Sequence, residues 1–181
     1  MAFLAWRAGK LRFALGVARL SPAALAYLLH RDRGRLKAAA VRVFLRSAPR
    51  EDLVRSCTAF AESALGERLL RPDAEQCWVA WRDQGARLVI VTASPEEVVA
   101  PFARRLGADV LIATRLAFDA KGRVTGQFEG MNCRGAEKVR RLRAAFGTGL
   151  RLAAAYGDSS GDREMLAIAD IRGYRVFNGR P

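Results

Sequence analysis

Leu152-Ala153-Ala154-Ala155-Tyr156-Gly157-Asp158-Ser159-Ser160-Gly161-Asp162 is the stretch on which the fold turns. Five apolar residues run without interruption into Gly-Asp and a turn of small residues, which reads as a buried strand with a carboxylate at its carboxyl edge. A helix is expected to follow from Arg163 to Ala169. Open α/β sheets bind ligands at that edge, and hard cations such as Mg²⁺ prefer oxygen ligands of this kind. A loop of small residues feeding a helix also leaves N–H groups free for a phosphate. The plainer reading is that Asp158 ends a strand and Asp162 caps a helix, as Asp often does. The stretch by itself leaves both open.

Two further segments bear on the choice. Ala86-Arg87-Leu88-Val89-Ile90-Val91-Thr92-Ala93-Ser94-Pro95-Glu96-Glu97 is a β-branched run after Gly85 that ends in a Ser-Pro-Glu-Glu helix start. It reads as a buried parallel strand with the Thr92 hydroxyl at its carboxyl end. Between the two strands, Gly135-Ala136-Glu137-Lys138-Val139-Arg140-Arg141-Leu142 opens a helix. Lys138 is one of four lysines in a chain that otherwise uses arginine, as expected of a residue kept for a point charge.

In this order, strand-Thr92, helix-Lys138 and strand-Gly-Asp158-x-x-x-Asp162 resemble the second, third and fourth motifs of the haloacid dehalogenase (HAD) superfamily. The resemblance is nearest to its subfamily IB, the phosphoserine-phosphatase-like branch. It runs from Gln84 to Pro181 and takes in the Gly122 to Gly130 hairpin, Asn132 to Lys138, and Gly173 to Phe177. It implies a Rossmann-like parallel α/β core over 81–181 and an N-terminal helical cap over 1–80. It also implies Mg²⁺-dependent hydrolysis of a small phosphorylated metabolite such as phosphoserine, through an aspartyl-phosphate. Thr92 would hydrogen-bond a phosphoryl oxygen, with Ser94 a substrate contact beside it. Lys138 would neutralise charge on the nucleophile and the phosphoryl group. Asp158 would bind Mg²⁺, and Asp162 would hold Lys138 or a metal-bound water in place. Arg42 falls near the position where phosphoserine phosphatases use an arginine for the substrate carboxylate, with Arg46 and Arg50 as available.

The family's first motif, Asp-x-Asp-x-Thr at the end of a strand, has no counterpart here, because the chain contains no Asp-x-Asp. Its strand would be central, between those ending at Thr92 and Asp158, and its loss would leave two edges facing a gap. The expectation is therefore a chain shortened ahead of Met1 and inactive as written. A non-catalytic relative that binds phosphate-bearing ligands or an anionic membrane is the alternative. A phosphotransferase of the same superfamily would share every residue named.

The composition suits a small α/β enzyme: 181 residues, 51% apolar and 27% charged. The charge of +13 raises nucleic acid or an anionic surface as partner. Its arginines are scattered without interleaved aromatics, so a solvated surface is expected and nucleic acid is not. Cys57, Cys77 and Cys133 lack metal-type spacing and read as reduced thiols in a cytoplasmic protein. No acid precedes Asp32, yet the longest uncharged run, Leu20 to Leu29, is too short to span a bilayer. The segment reads as cap helices with Leu11, Leu15 and Ala18 packed inward, and membrane-surface binding is not expected.

Overall fold

Among the described residues, five helices lead into the strands. The computed structural model describes residues 1–20, 33–63, 66 and 68–179. Helices α1 (Ala2–Ala8), α2 (Lys10–Arg19), α3 (Arg33–Leu45), α4 (Arg50–Ala61) and α5 (Pro72–Asp83) come first. Pro72 starts α5 where its missing N–H costs no hydrogen bond, and Asp73 and Glu75 sit in the turn that favours negative charge. Strand β1 (Val89–Pro95) then passes into α6 (Glu96–Arg105), followed by β2 (Val110–Phe118) and β3 (Val124–Glu129). The chain closes with α7 (Ala136–Phe146), β4 (Leu152–Gly157), a 3-10 turn (Ser160–Asp162), α8 (Arg163–Ala167) and β5 (Ala169–Tyr174).

The fold is α/β, as the sequence implies. Strands β1 and β2 are parallel, with Val89 opposite Val110 and Val91 opposite Ile112, and β3 returns antiparallel on β2. Strands β4 and β5 form a second, parallel pair. The order is β1-β2-β3 in one sheet and β4-β5 in the other, so β1 and β4 each present an edge that no described strand covers. The helix expected from Arg163 to Ala169 stops at Ala167, because Ala169 is already in β5.

Two apolar clusters hold these layers. In one, Leu45, Leu53, Cys57 and Phe60 of α3 and α4 pack with Phe102 of α6, Leu116 of β2 and Val124 of β3. The helices before residue 80 thus share a core with the strands after it. Truncating Phe60, which stacks edge-on with Phe3 and Phe102, costs about 3–5 kcal/mol by the usual core rule. In the other, Ile112, Cys133, Leu142, Ala155, Met165 and Leu166 fill the space between β2, α7, β4 and α8.

Helix α2 departs from the sequence expectation. Leu11, Leu15 and Ala18 face outward, Leu11 with 75% and Leu15 with 58% of its surface exposed. The inward face is Phe13, Gly16 and Leu20 instead. Phe13 stacks on Phe44 of α3 at 5.4 Å, and a Cβ on Gly16 would stand 2.3 Å from the Phe44 ring. Helical period fitted the leucines as well as it fitted this face, and a glycine in contact with an aromatic ring decided between them. Most of the run from Leu20 to Leu29 lies outside the described residues.

Candidate functional site

The carboxyl end of β1 is where its pairing with β2 becomes irregular, between Val91 and Pro95. Within that break the Thr92 hydroxyl oxygen accepts the Ser94 N–H at 3.1 Å, a local turn that side chains of this type favour. The intervening carbonyl of Ala93 accepts the Lys37 ammonium at 2.7 Å and lies 2.9 Å from the Thr114 hydroxyl. Thr114 is fully buried, and its oxygen also accepts the Cys133 N–H at 3.0 Å. A core threonine and a lysine from α3 thus fix the backbone between Thr92 and Ser94.

The carboxyl end of β4 is shaped by Gly157. A Cβ there would lie 2.5 Å from Cβ of Asp162, so only glycine lets the loop fold back this closely. Ser159 and Asp162 form a capping box: the Ser159 oxygen accepts the Gly161 N–H, and Asp162 Oδ2 accepts the Ser159 N–H and hydroxyl at 2.9 and 2.7 Å. Asp162 Oδ1 takes the Lys138 ammonium at 2.6 Å. Lys138 also donates to the Val91 carbonyl at 2.7 Å, so it ties the end of β1 to the loop after β4. One residue, Asp162, therefore both closes the box on Ser159 and pairs with Lys138. Burial pushes its carboxyl up, but the hydrogen bonds from Lys138 and Ser159 outweigh it and hold the group below the usual range.

Three cations share this place. Lys37 and Lys138 sit on carbonyls two residues apart in β1, and Arg134 donates to the Ser160 hydroxyl at 2.7 Å. Burial and the nearby Arg134 and Lys138 push the Lys37 ammonium down, with Cys133 opposing. A lysine so placed gains from an anion, which returns the charge balance and offers acceptors to its donors. The arrangement of hydroxyls at Thr92, Ser94 and Ser160 under clustered cations suits a phosphate.

The remaining candidates are placed as follows. Asp158 is exposed, and its side chain accepts no hydrogen bond from the described residues, while Arg175 holds its backbone carbonyl at 2.9 Å. Among the described residues no three of His, Cys, Asp and Glu converge as a metal cluster. One free carboxylate fits Mg²⁺ only in part, as a single ligand of an ion that otherwise keeps waters and substrate oxygens. Arg42 lies exposed on α3 with its stem packed over Gly126 of β3, and is not brought to the cluster. Lys37, from the same helix, is. The scarcity of lysine that singled out Lys138 would have singled out Lys37 too, whereas Thr114 and Arg134 carried no local signal. Cys133 is fully buried in the second core.

Residues 1–167 match the family model of the haloacid dehalogenase-like hydrolases. The chain is 58% identical to Protein CicA of Caulobacter vibrioides over 180 residues, 99% of this chain and 80% of that one. It is 34% identical over 116 residues, 58% of this chain and 37% of the relative, to phosphoserine phosphatase SerB1 of Mycobacterium tuberculosis. Its fold is that of a probable phosphoserine phosphatase from Vibrio cholerae, with a TM-score of 0.64 and 20% identity over 93% of this chain and 48% of that one.

Proposed function

Since the chain belongs to the haloacid dehalogenase-like hydrolase family, we propose that it is a Mg²⁺-dependent phosphomonoesterase acting on a small phosphorylated metabolite, with phosphoserine the leading substrate. The observation that carries this reading is Lys138, held by Asp162 against the end of the strand that bears Thr92. In it the Thr92 hydroxyl donates to a phosphoryl oxygen and Ser94 lies against the same group. Lys138 neutralises charge that builds on the phosphoryl oxygens, a positioning and electrostatic task. Asp162 pairs with Lys138 and holds it aimed. Asp158 would hold Mg²⁺, which when bound supplies charge neutralisation at the phosphate. Arg42 keeps its reading as a contact for a substrate carboxylate through resemblance alone.

On this reading the nucleophile is the aspartate of an Asp-x-Asp strand that would pair with the edges of β1 and β4 that no described strand covers, and the 181 residues, which contain no Asp-x-Asp, are inert. A cytoplasmic setting goes with the three free cysteines. No helix among the described residues is long and apolar enough to cross a membrane.

The test is to read the in-frame codons before Met1, restore about 25 residues if they are open, enough for one strand and its loop, and assay hydrolysis of an aryl phosphate with Mg²⁺. Hydrolysis that Asp158→Ala abolishes supports the reading. A restored chain that folds and stays inert overturns it in favour of a non-catalytic phosphate binder. That second reading draws on the cation cluster, which the described residues supply on their own.

A further inference from the structure

We propose that α1 and α2 dock this protein on an anionic phospholipid bilayer, with the outward leucines of α2 entering the interface and an arginine groove beside them taking lipid phosphates. The first observation is the orientation of α2. Phe13, Gly16 and Leu20 are its fixed inner face, because Gly16 lies against the Phe44 ring and no side chain fits between them. Leu11 and Leu15, four residues apart, therefore stand in solvent on one stripe, with Ala14 and Ala18 exposed beside them. Val17, Trp6 of α1 and Met1 ahead of it add further exposed apolar surface.

The second observation is a groove between α1, α2, α3 and α4, whose described lining includes Arg7, Arg12 and Arg19 together with Leu15 and Ser56 and no described acidic residue. Arg7 donates to the Phe44 carbonyl at 3.5 Å, and neither Arg12 nor Arg19 pairs with a carboxylate among the described residues. Lys10 flanks the stripe on its other side, and no acid occurs before Asp32.

An apolar stripe edged by long cations is the design of a helix lying in a headgroup layer: leucines enter the acyl boundary while the cations stay at phosphate level. The chain's charge of +13 favours an anionic surface as the occupant over a second, equally basic copy. This surface is built from residues outside the Lys138 site and does not depend on the proposed phosphatase activity.

The experiment is co-sedimentation of the 181-residue chain with vesicles of phosphatidylcholine alone or mixed with phosphatidylglycerol, at low and moderate salt, beside light scattering for mass. Binding to the mixed vesicles only is expected, weakened by salt. The double variant Leu11→Asp, Leu15→Asp, on exposed positions that leave the fold intact, should reduce partitioning about tenfold or more. Arg12→Ala with Arg19→Ala should reduce it independently. The proposal is overturned if the chain leaves anionic vesicles unbound or if the leucine variant sediments as fully as the native chain. It is equally overturned if the chain is a dimer that the leucine variant dissolves, because the stripe then serves a second copy.

Discussion

Lys138 and Asp162 meet at 2.6 Å with side chains only 7% and 9% exposed, one on α7 and the other at the turn into α8. Removing one partner leaves the other charge buried and unpaired, which costs more than the pair contributes when intact. Lys138→Met is expected to lower stability by about 3–5 kcal/mol, read by urea denaturation at pH 7. Lys138→Met combined with Asp162→Asn should recover part of that loss. A single variant as stable as the native chain would show that water reaches the pair.

Gly157 sets the distance between β4 and the Asp162 carboxylate, since a Cβ there would lie 2.7 Å from its Cγ. Gly157→Ala must displace Asp162, and with it the capping box and the Lys138 contact. A loss of about 1–3 kcal/mol is expected, in the range of overpacking. Gly149→Ala, whose Cβ meets nothing within 4 Å, is the matched control.

The two strands were legible because a parallel strand is an uninterrupted apolar run; β4 ends at Gly157 as read, whereas β1 runs on through Thr92 to Pro95, and both are half-buried along most of their length where burial was expected. Asp162 was legible as two alternatives; its side chain pairs with Lys138 and closes the box on Ser159 in the 3-10 turn, and it makes no side-chain cap to α8. Lys37 was not legible, because its place depends on how α3 lies over the end of β1, 56 residues away in sequence. The orientation of α2 failed for a related reason. Leucines at helical spacing define a stripe and not its direction, and the contact of Gly16 with Phe44 lies in tertiary structure.

Glu137 gives the chain an acid-sensitive joint on α7. Hydrogen bonds from Arg140 hold its carboxyl down to about 2, burial opposes them, and Arg141 adds to the lowering. Arg141 carries this joint to the sheet by donating to the Ala113 carbonyl at 2.6 Å. A carboxyl lowered on folding stabilises the native state fully above its unfolded value of 4.5, and the gain is lost as pH falls from there toward 2. Glu137→Gln should cost about 2 kcal/mol at pH 7 and flatten the decline in melting temperature below pH 4.5. An unchanged acid limb in the variant would assign acid loss to other carboxylates.

Cys57 and Cys133 are both buried, and burial pushes the Cys57 thiol up to about 12 and raises Cys133 as well. The thiolate is the reactive species, so neither should label quickly. Alkylation of the native chain at pH 8, followed by peptide mass mapping, should modify the half-buried Cys77 first. Rapid modification of Cys133 would mean that the wall behind Thr114 opens to solvent.

Lys37 separates stability from ligand binding. Burial, Arg134 and Lys138 all work against its charge in the ligand-free protein, so Lys37→Met should leave the melting temperature unchanged or raise it. The same change removes a cation from the proposed phosphate site. Titration with inorganic phosphate at pH 7 should show affinity reduced about tenfold, the worth of one charge-assisted hydrogen bond of about 1.5 kcal/mol, while Lys121→Met on the β2–β3 turn leaves it unchanged. Lys37→Arg should restore part of the affinity. A variant that loses stability and keeps its phosphate affinity would make Lys37 a strut between α3 and Ala93 and nothing more.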